Sequence, residues 1–258
     1  IKLENNIVTP LPWINVISND DFGCIISENG GGYTWSENSN ENKLTPWLND
    51  TIFNNPQEVV FLRDETYGEL WSLTPDPLGK DINYEIHHGK GYTKFISQAL
   101  NLDLNMTVFV PLKNPVKIFH ITIKNMSNET RNLSSFLYVN PVLGTHPEKT
   151  KKYIITEMND NETLKIINPY NYQYPNRVMY LSSSEILLSY TGNKAEFSFN
   201  NLLHMDAFKD QVGGGFDPCG CLQISLTLKA MEEKEFIFTI GQEQFDDEMR
   251  RNVKYYRK

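Results

Sequence analysis

The sequence predicts an all-β protein, a large antiparallel β-sandwich closed by one C-terminal helix. Three observations predict it. Apolar residues recur at every second position in segment after segment. Turn-rich clusters separate those segments at hairpin spacing. Only the last stretch carries a helical period.

The clearest strand is Leu102 to Val110, where Leu102, Leu104, Met106, Val108 and Val110 alternate with Asp103, Asn105 and Thr107. A side-chain period of two with one apolar set is a strand with one buried face. Leu222, Ile224, Leu226 and Leu228 repeat the pattern, and so do Phe236, Phe238 and Ile240 after a polar turn at Glu232-Glu233-Lys234. Val116 to Lys124 is another strand, ended by Asn125-Met126-Ser127-Asn128. Shorter strands are expected at Phe22–Ser27, Val59–Arg63, Tyr84–His87, Tyr92–Ala99 and Ser135–Val139. Others are expected at Tyr153–Met158, Thr163–Ile167, Val178–Ser182, Ile186–Tyr190 and Glu196–Phe199. Phe245, Met249, Val253 and Tyr256 fall on one helical face. Asp246, Asp247 and Glu248 open that helix and Arg250, Arg251 and Lys254 follow, the order its dipole favours. Its apolar stripe must either return to the sandwich or meet a C-terminal partner. The domain division expected is a sandwich over 1–243 and a helix over 244–258.

The chain has 258 residues with 24 Lys+Arg against 32 Asp+Glu, a net charge of −8. That balance excludes a binder of nucleic-acid backbones, which needs clustered cations. No apolar run approaches the roughly 20 residues of a membrane helix, so no membrane association is expected. No basic-then-apolar leader is visible at the start, and a cytoplasmic location is expected. The chain opens on Ile1, so a piece of a longer protein is expected. Cys24, Cys219 and Cys221 match no zinc or thioredoxin spacing and are expected to be buried, inert thiols. No metal-ligand motif and no G-x-S-x-G elbow occurs, so no metal and no cofactor is expected.

Two glycine triplets, 30–32 and 213–215, belong to no phosphate-binding motif and are expected to be tight turns. The segment Tyr33 to Asp50, YTWSENSNENKLTPWLND, joins two tryptophans to a dense set of amides and carboxylates. Aromatic faces cover the C–H surfaces of sugars, and amides and carboxylates bond their hydroxyls. The candidate residues are Trp35, Glu37, Asn38, Asn42, Trp47, Asn49 and Asp50. The alternative is a long loop whose asparagines cap its own backbone. His88, in His87-His88-Gly89, is a further candidate as a general base or as a turn histidine.

The run Thr9 to Asp50, with WINVI, GGGYTW and TPWLND, closely resembles the opening of the sandwich domain of glycoside hydrolase family ninety-four, formerly glycosyltransferase family thirty-six. The resemblance continues through Val59–Pro77, His88–Phe95, Val110–Gly144 and Gly213–Gln242, and so covers nearly the whole chain. That family contains cellobiose, cellodextrin, chitobiose and β-1,2-oligoglucan phosphorylases and the phosphorylase-like part of cyclic β-1,2-glucan synthases. The resemblance implies a supersandwich, related to the galactose-mutarotase fold. It implies that the final helix begins a linker to an (α/α)6 catalytic barrel, which this sequence does not include. In the full enzymes inorganic phosphate is the co-substrate of an inverting phosphorolysis that yields α-glucose 1-phosphate. The implied partners are a β-glucan oligosaccharide, the barrel of the same polypeptide and a second copy in a homodimer. No catalytic residue can be assigned in this chain.

Three functions therefore stand side by side. The first is a non-catalytic sandwich domain that buttresses the barrel. The second is a freestanding carbohydrate-binding module. The third is an aldose 1-epimerase-like enzyme using His88 and Glu28 as acid and base.

Overall fold

The computed structural model describes residues 1–4, 9–47, 56–79 and 81–257. The strands, in chain order, begin with β1 (Lys2–Leu3), β2 (Ile14–Ser18), β3 (Phe22–Ser27), β4 (Gly32–Ser36), β5 (Glu58–Asp64) and β6 (Glu69–Ser72). Then come β7 (Tyr84–Gly89), β8 (Tyr92–Ala99), β9 (Leu102–Phe109), β10 (Val116–Asn125) and β11 (Arg131–Val139). The rest are β12 (Ile155–Asn159), β13 (Thr163–Ile167), β14 (Val178–Ser183), β15 (Leu187–Asn193), β16 (Pro218–Leu228) and β17 (Glu233–Glu243). The α-helices are α1 (Pro147–Thr150), α2 (Phe199–His204) and α3 (Asp246–Tyr256).

A nine-stranded sheet runs β1-β7-β8-β9-β10-β17-β14-β13-β12, and a five-stranded sheet runs β15-β16-β11-β5-β6. Among the described residues every strand pair in them is antiparallel. A third sheet, β2-β3-β4, stands at one end. The alternation in the sequence sets the layers. Leu104, Met106 and Val108 of β9 and Phe119, Ile121 and Ile123 of β10 point into one core with Val60 and Leu62 of β5 and Leu222, Ile224 and Leu226 of β16. That core is the space between the two large sheets.

β5 is apolar on both faces, because its other side is covered too. Val59 and Phe61 join Phe136, Tyr138, Cys219 and Cys221 under α2, with Leu202 and Phe208 as the lid. The three thiols are free and buried. Burial pushes Cys24 up to about 11 and Cys219 up to about 12, so both stay protonated and unreactive at neutral pH.

The structure departs from the sequence expectation in several places, beginning with β1, β2, β6 and α1, which the sequence does not mark. Glu196–Phe199 is no strand: a 3-10 turn covers Lys194–Glu196 and α2 starts at Phe199. The Asn193 side chain accepts from Ala195 N–H and Ser198 caps α2 by accepting from Asn201 N–H, so local capping outweighs a two-residue alternation. Tyr153 ends a 3-10 turn and its strand begins at Ile155. The first residues of the Tyr33 segment are strand β4, paired with β3. The helical stripe takes the first of its two alternatives and returns to the sandwich. Met249 and Val253 are buried against Val116, Ile118, Val178 and Tyr180 on the outer face of the nine-stranded sheet. Of the stripe, Phe245 stays exposed at the N-cap position. Burying such side chains contributes about 1.5–3 kcal/mol each, enough to hold a helix this short.

The glycine triplets are tight turns. Gly30 and Gly32 have φ of 93° and 147°, and Gly213 and Gly215 have 135° and 87°. At Gly32 a Cβ would collide with the carbonyl oxygen of Ile25 across the β3–β4 pair.

Candidate functional site

The small sheet shows two unlike faces. Phe22, Cys24 and Ile26 of β3 point into the core. On the other face Val16, Ile25 and Tyr33 stand in register across the three strands. Trp35 lies opposite Gly23, and a Cβ there would come within 2.5 Å of the indole, so the glycine admits the ring. The Tyr33 ring centre is 5.3 Å from Trp35 and 5.2 Å from Trp47. Ile14 is 50% exposed, Val16 57% and Trp47 36%. An aromatic and aliphatic sheet face therefore meets solvent, the kind of patch that marks a contact site.

The loop from Ser36 to Trp47 builds on β4. Glu37 takes a left-handed turn at φ 62° and pairs with Arg177 at 2.5 Å. Asn38 Oδ1 accepts from the N–H groups of Asn40 and Glu41, an Asx turn within the loop. Asn42 is buried; its Nδ2 donates to Ser36 O and Gln242 Oε1, tying the loop to β17. Lys43 bridges to Gly144 through two backbone bonds. The structure thus brings Trp35 and Trp47 together around Tyr33 and turns Glu37 to Arg177. It places the Asn38 oxygen and the Asn42 amide in the loop's own framework, not toward a ligand. Asn49 and Asp50 lie outside the described residues.

His88 is elsewhere, at the Ile14 end of the small sheet. Its Nε2 is 3.0 Å from Trp13 O and its Nδ1 is 3.0 Å from Thr93 Oγ1. The carbonyl must accept, so Nε2 carries the proton and Nδ1 accepts. Burial lowers the His88 pKa, against the pull of the Trp13 carbonyl and of Glu28. Glu28 accepts from Trp13 N–H at 2.7 Å with one carboxylate oxygen and from Thr9 Oγ1 with the other. The imagined acid and base thus clamp the two backbone groups of one residue, Trp13, with both ring nitrogens and both carboxylate oxygens engaged within the protein. Trp13 itself is held 63% exposed.

Sequence reasoning missed Arg177 and the segment before it. The signal was present as NPYNYQYPNR, Asn168 to Arg177, where tyrosines alternate with amides. Asn168 Nδ2 and Asn171 Nδ2 both donate to Leu143 O, beside the Gly144–Lys43 bridge. The two loops therefore share one support.

Below them lies Glu243, the last residue of β17. Its carboxylate accepts from Asn252 Nδ2 of α3. Burial and the nearby Glu248 push Glu243 up to about 7, while Arg177 and Arg251 pull it down. Folding thus favours the protonated acid. That stabilisation is complete below the ordinary value of 4.5 and is lost as pH rises through about 7. Glu243→Gln is expected to raise stability at pH 8 by about 1 kcal/mol, after solvent screening of a half-buried group, and to change it little at pH 4. Thermal melts of both proteins at the two pH values check this; an equal offset at both would refute it.

Among the described residues no three His, Cys, Asp or Glu side chains are placed to hold a metal ion. No described helix is long and apolar enough to cross a membrane. The family model "Glycosyl hydrolase 94, supersandwich domain" matches residues 1–258. The chain belongs to this family. The supersandwich domain is 33% identical to the cyclic beta-(1,2)-glucan synthase NdvB of Rhizobium meliloti, over 97% of this chain and 9% of that protein. It is 33% identical to an N,N'-diacetylchitobiose phosphorylase of Vibrio proteolyticus, over 50% of this chain and 17% of that one. The domain thus spans less than a fifth of either relative. A putative aldose 1-epimerase from Escherichia coli K12 superposes with a TM-score of 0.55 at 8% identity, covering 91% of the domain and 100% of that chain. At that identity the likeness is one of fold, the galactose-mutarotase-like sandwich.

Proposed function

We propose that this supersandwich domain is the non-catalytic, scaffold and carbohydrate-facing part of a glucan phosphorylase or cyclic β-1,2-glucan synthase-like polypeptide. Its catalytic partner would be an (α/α)6 barrel of the same polypeptide, entered through a linker that α3 begins. There inorganic phosphate would act as co-substrate in inverting phosphorolysis of β-glucosides. The reading fits a cytoplasmic enzyme.

The observation that carries the proposal is the outward face of β2-β3-β4, with Ile14, Val16 and Trp47 exposed over Tyr33 and Trp35. A face of that composition is stable in water only at a cost, and cover by another domain removes the cost. Internal use of His88 and Glu28 supports a domain without chemistry of its own.

The test is Val16→Lys in two contexts. In the 258-residue chain it should change stability by under about 0.5 kcal/mol, because the site is exposed. In the full-length polypeptide it should destabilise by about 2 kcal/mol or more, because a buried unpaired charge results. No effect in either context would sink the proposal. Sedimentation of the full-length variant separates cover by the same polypeptide from cover by a second copy in a homodimer.

A further inference from the structure

We infer that the Asn168–Arg177 segment is a second contact site, a tyrosine platform for a neutral oligosaccharide, distinct from the sheet face of β2-β3-β4. Tyr170 is 70% exposed and Tyr172 is 86% exposed. Rings that exposed contribute nothing to the core, yet the backbone beneath them is built with care. Asn168 Oδ1 accepts from Tyr170 N–H at 3.1 Å, and Asn171 Oδ1 accepts from Tyr174 N–H at 3.1 Å. Asn168 O accepts from Asn171 N–H at 3.1 Å. Both asparagine amides then donate to Leu143 O, at 3.1 and 3.3 Å. The Arg177–Glu37 pair fixes the far end.

Tyr153 backs Tyr170, with ring centres 4.5 Å apart and 30° between planes. Lys152 Nζ lies 4.8 Å from the centre of the same Tyr153 ring. Tyr153 is thus a support, and Tyr170 and Tyr172 are the rings left to meet a ligand. A pre-ordered aromatic surface binds without the entropy loss of ordering a loop.

Composition chooses the ligand. From Asn168 to Arg177 there is no Leu, Ile, Val, Met or Phe, only Tyr, Asn, Gln, Pro and a paired Arg. A protein interface core wants aliphatic and aromatic residues packed dry. Exposed tyrosine faces beside the exposed amides of Gln173 and Asn176 instead match a sugar chain, with C–H surfaces for the rings and hydroxyls for those two amides. The proposal uses the carbohydrate reading of the domain only to choose the probe.

The test is saturation-transfer NMR on the 258-residue chain with cellotetraose and with a β-1,2-linked glucotetraose. At least one should bind with a dissociation constant of about a millimolar. Tyr170→Ala with Tyr172→Ala should weaken it at least about tenfold. Tyr170→Phe with Tyr172→Phe should keep it within about threefold, because the ring faces carry the contact. Trp47→Ala should leave it unchanged. No binding of either sugar at about 10 mM would overturn the proposal, as would equal binding by the alanine variant. Loss of binding in Trp47→Ala would move the sugar to the sheet face and also overturn it. So would an alanine variant altered only in self-association. The sheet-face proposal is judged by melting in the full-length polypeptide, so either reading can fail alone.

Discussion

Replacing Arg131 by alanine is expected to lower the melting temperature by about 10 °C. Arg131 is the largest fully buried side chain among the described residues. Its guanidinium grips Asp64 Oδ2 with both Nε and Nη2, and its Nη1 donates to Leu100 O at 2.7 Å. The guanidinium also lies 4.7 Å from the centre of the Tyr67 ring. Asp64 Oδ1 meanwhile accepts from the N–H groups of Thr66 and Tyr67 and so shapes the β5–β6 turn. Removing the arginine leaves a carboxylate with no solvent and no cation. Breaking a buried pair in this way costs about 3–5 kcal/mol. Asp64→Asn should cost a similar amount, since it leaves the cation unpaired instead. Differential scanning calorimetry of the two variants decides the matter; shifts under about 2 °C would show the pair to be dispensable.

The second large effect is expected where the three sheets meet. Lys117 points inward from β10 and its Nζ is 2.6 Å from Glu58 Oε2 on β5. Thr45 Oγ1 donates to the other carboxylate oxygen at 2.5 Å, and Cys24 of β3 stands close enough to feel both charges. Burial acts to lower the lysine pKa, but the charge and hydrogen bond of Glu58 together with Cys24 outweigh it and the value is raised, so the lysine keeps its charge. Lys117→Met and Glu58→Leu should each destabilise by about 3–5 kcal/mol. The double variant should be less destabilised than either single one, because no orphan charge remains. Chemical denaturation of all four proteins checks this. Simple addition of the two losses would mean that packing, not charge, holds the junction.

The same junction shows what was legible beforehand. The large sheets could be read from Leu102–Val110, Val116–Lys124 and Leu222–Leu228, because one wet face enforces a period of two. Of the small sheet only the central strand could, at Phe22–Ser27. β2 is exposed at Ile14 and Val16, so it lacks the alternation that a single buried face imprints. α2 was hidden because its signal is two caps, Asn193 and Ser198, within a short apolar run. In the candidate site, the residue types of Tyr33–Asp50 were right for recognition, but type does not give direction. Asn42 and an exposed ligand-facing asparagine look the same in sequence; only the fold sends this amide to Gln242. Arg177 escaped notice because its partner, Glu37, lies far away along the chain.

The pairing of β10 with β17 sets a condition on how the protein is made. Val116 stands opposite Gly241 and Lys124 opposite Glu233, so the middle of the nine-stranded sheet joins segments over a hundred residues apart in the chain. On a ribosome, β10 leaves the exit tunnel long before its neighbour exists. Until β17 emerges, β10 offers an open edge bearing Val116, Ile118 and Ile121. The nascent domain therefore cannot close strand by strand. It must wait, half-built and adhesive, for the last eleven-residue strand to be translated. A translational pause placed just before Glu233 would lengthen that vulnerable interval, and one placed well beyond Tyr256, with β17 already clear of the tunnel, would let the sandwich close before any later segment emerges.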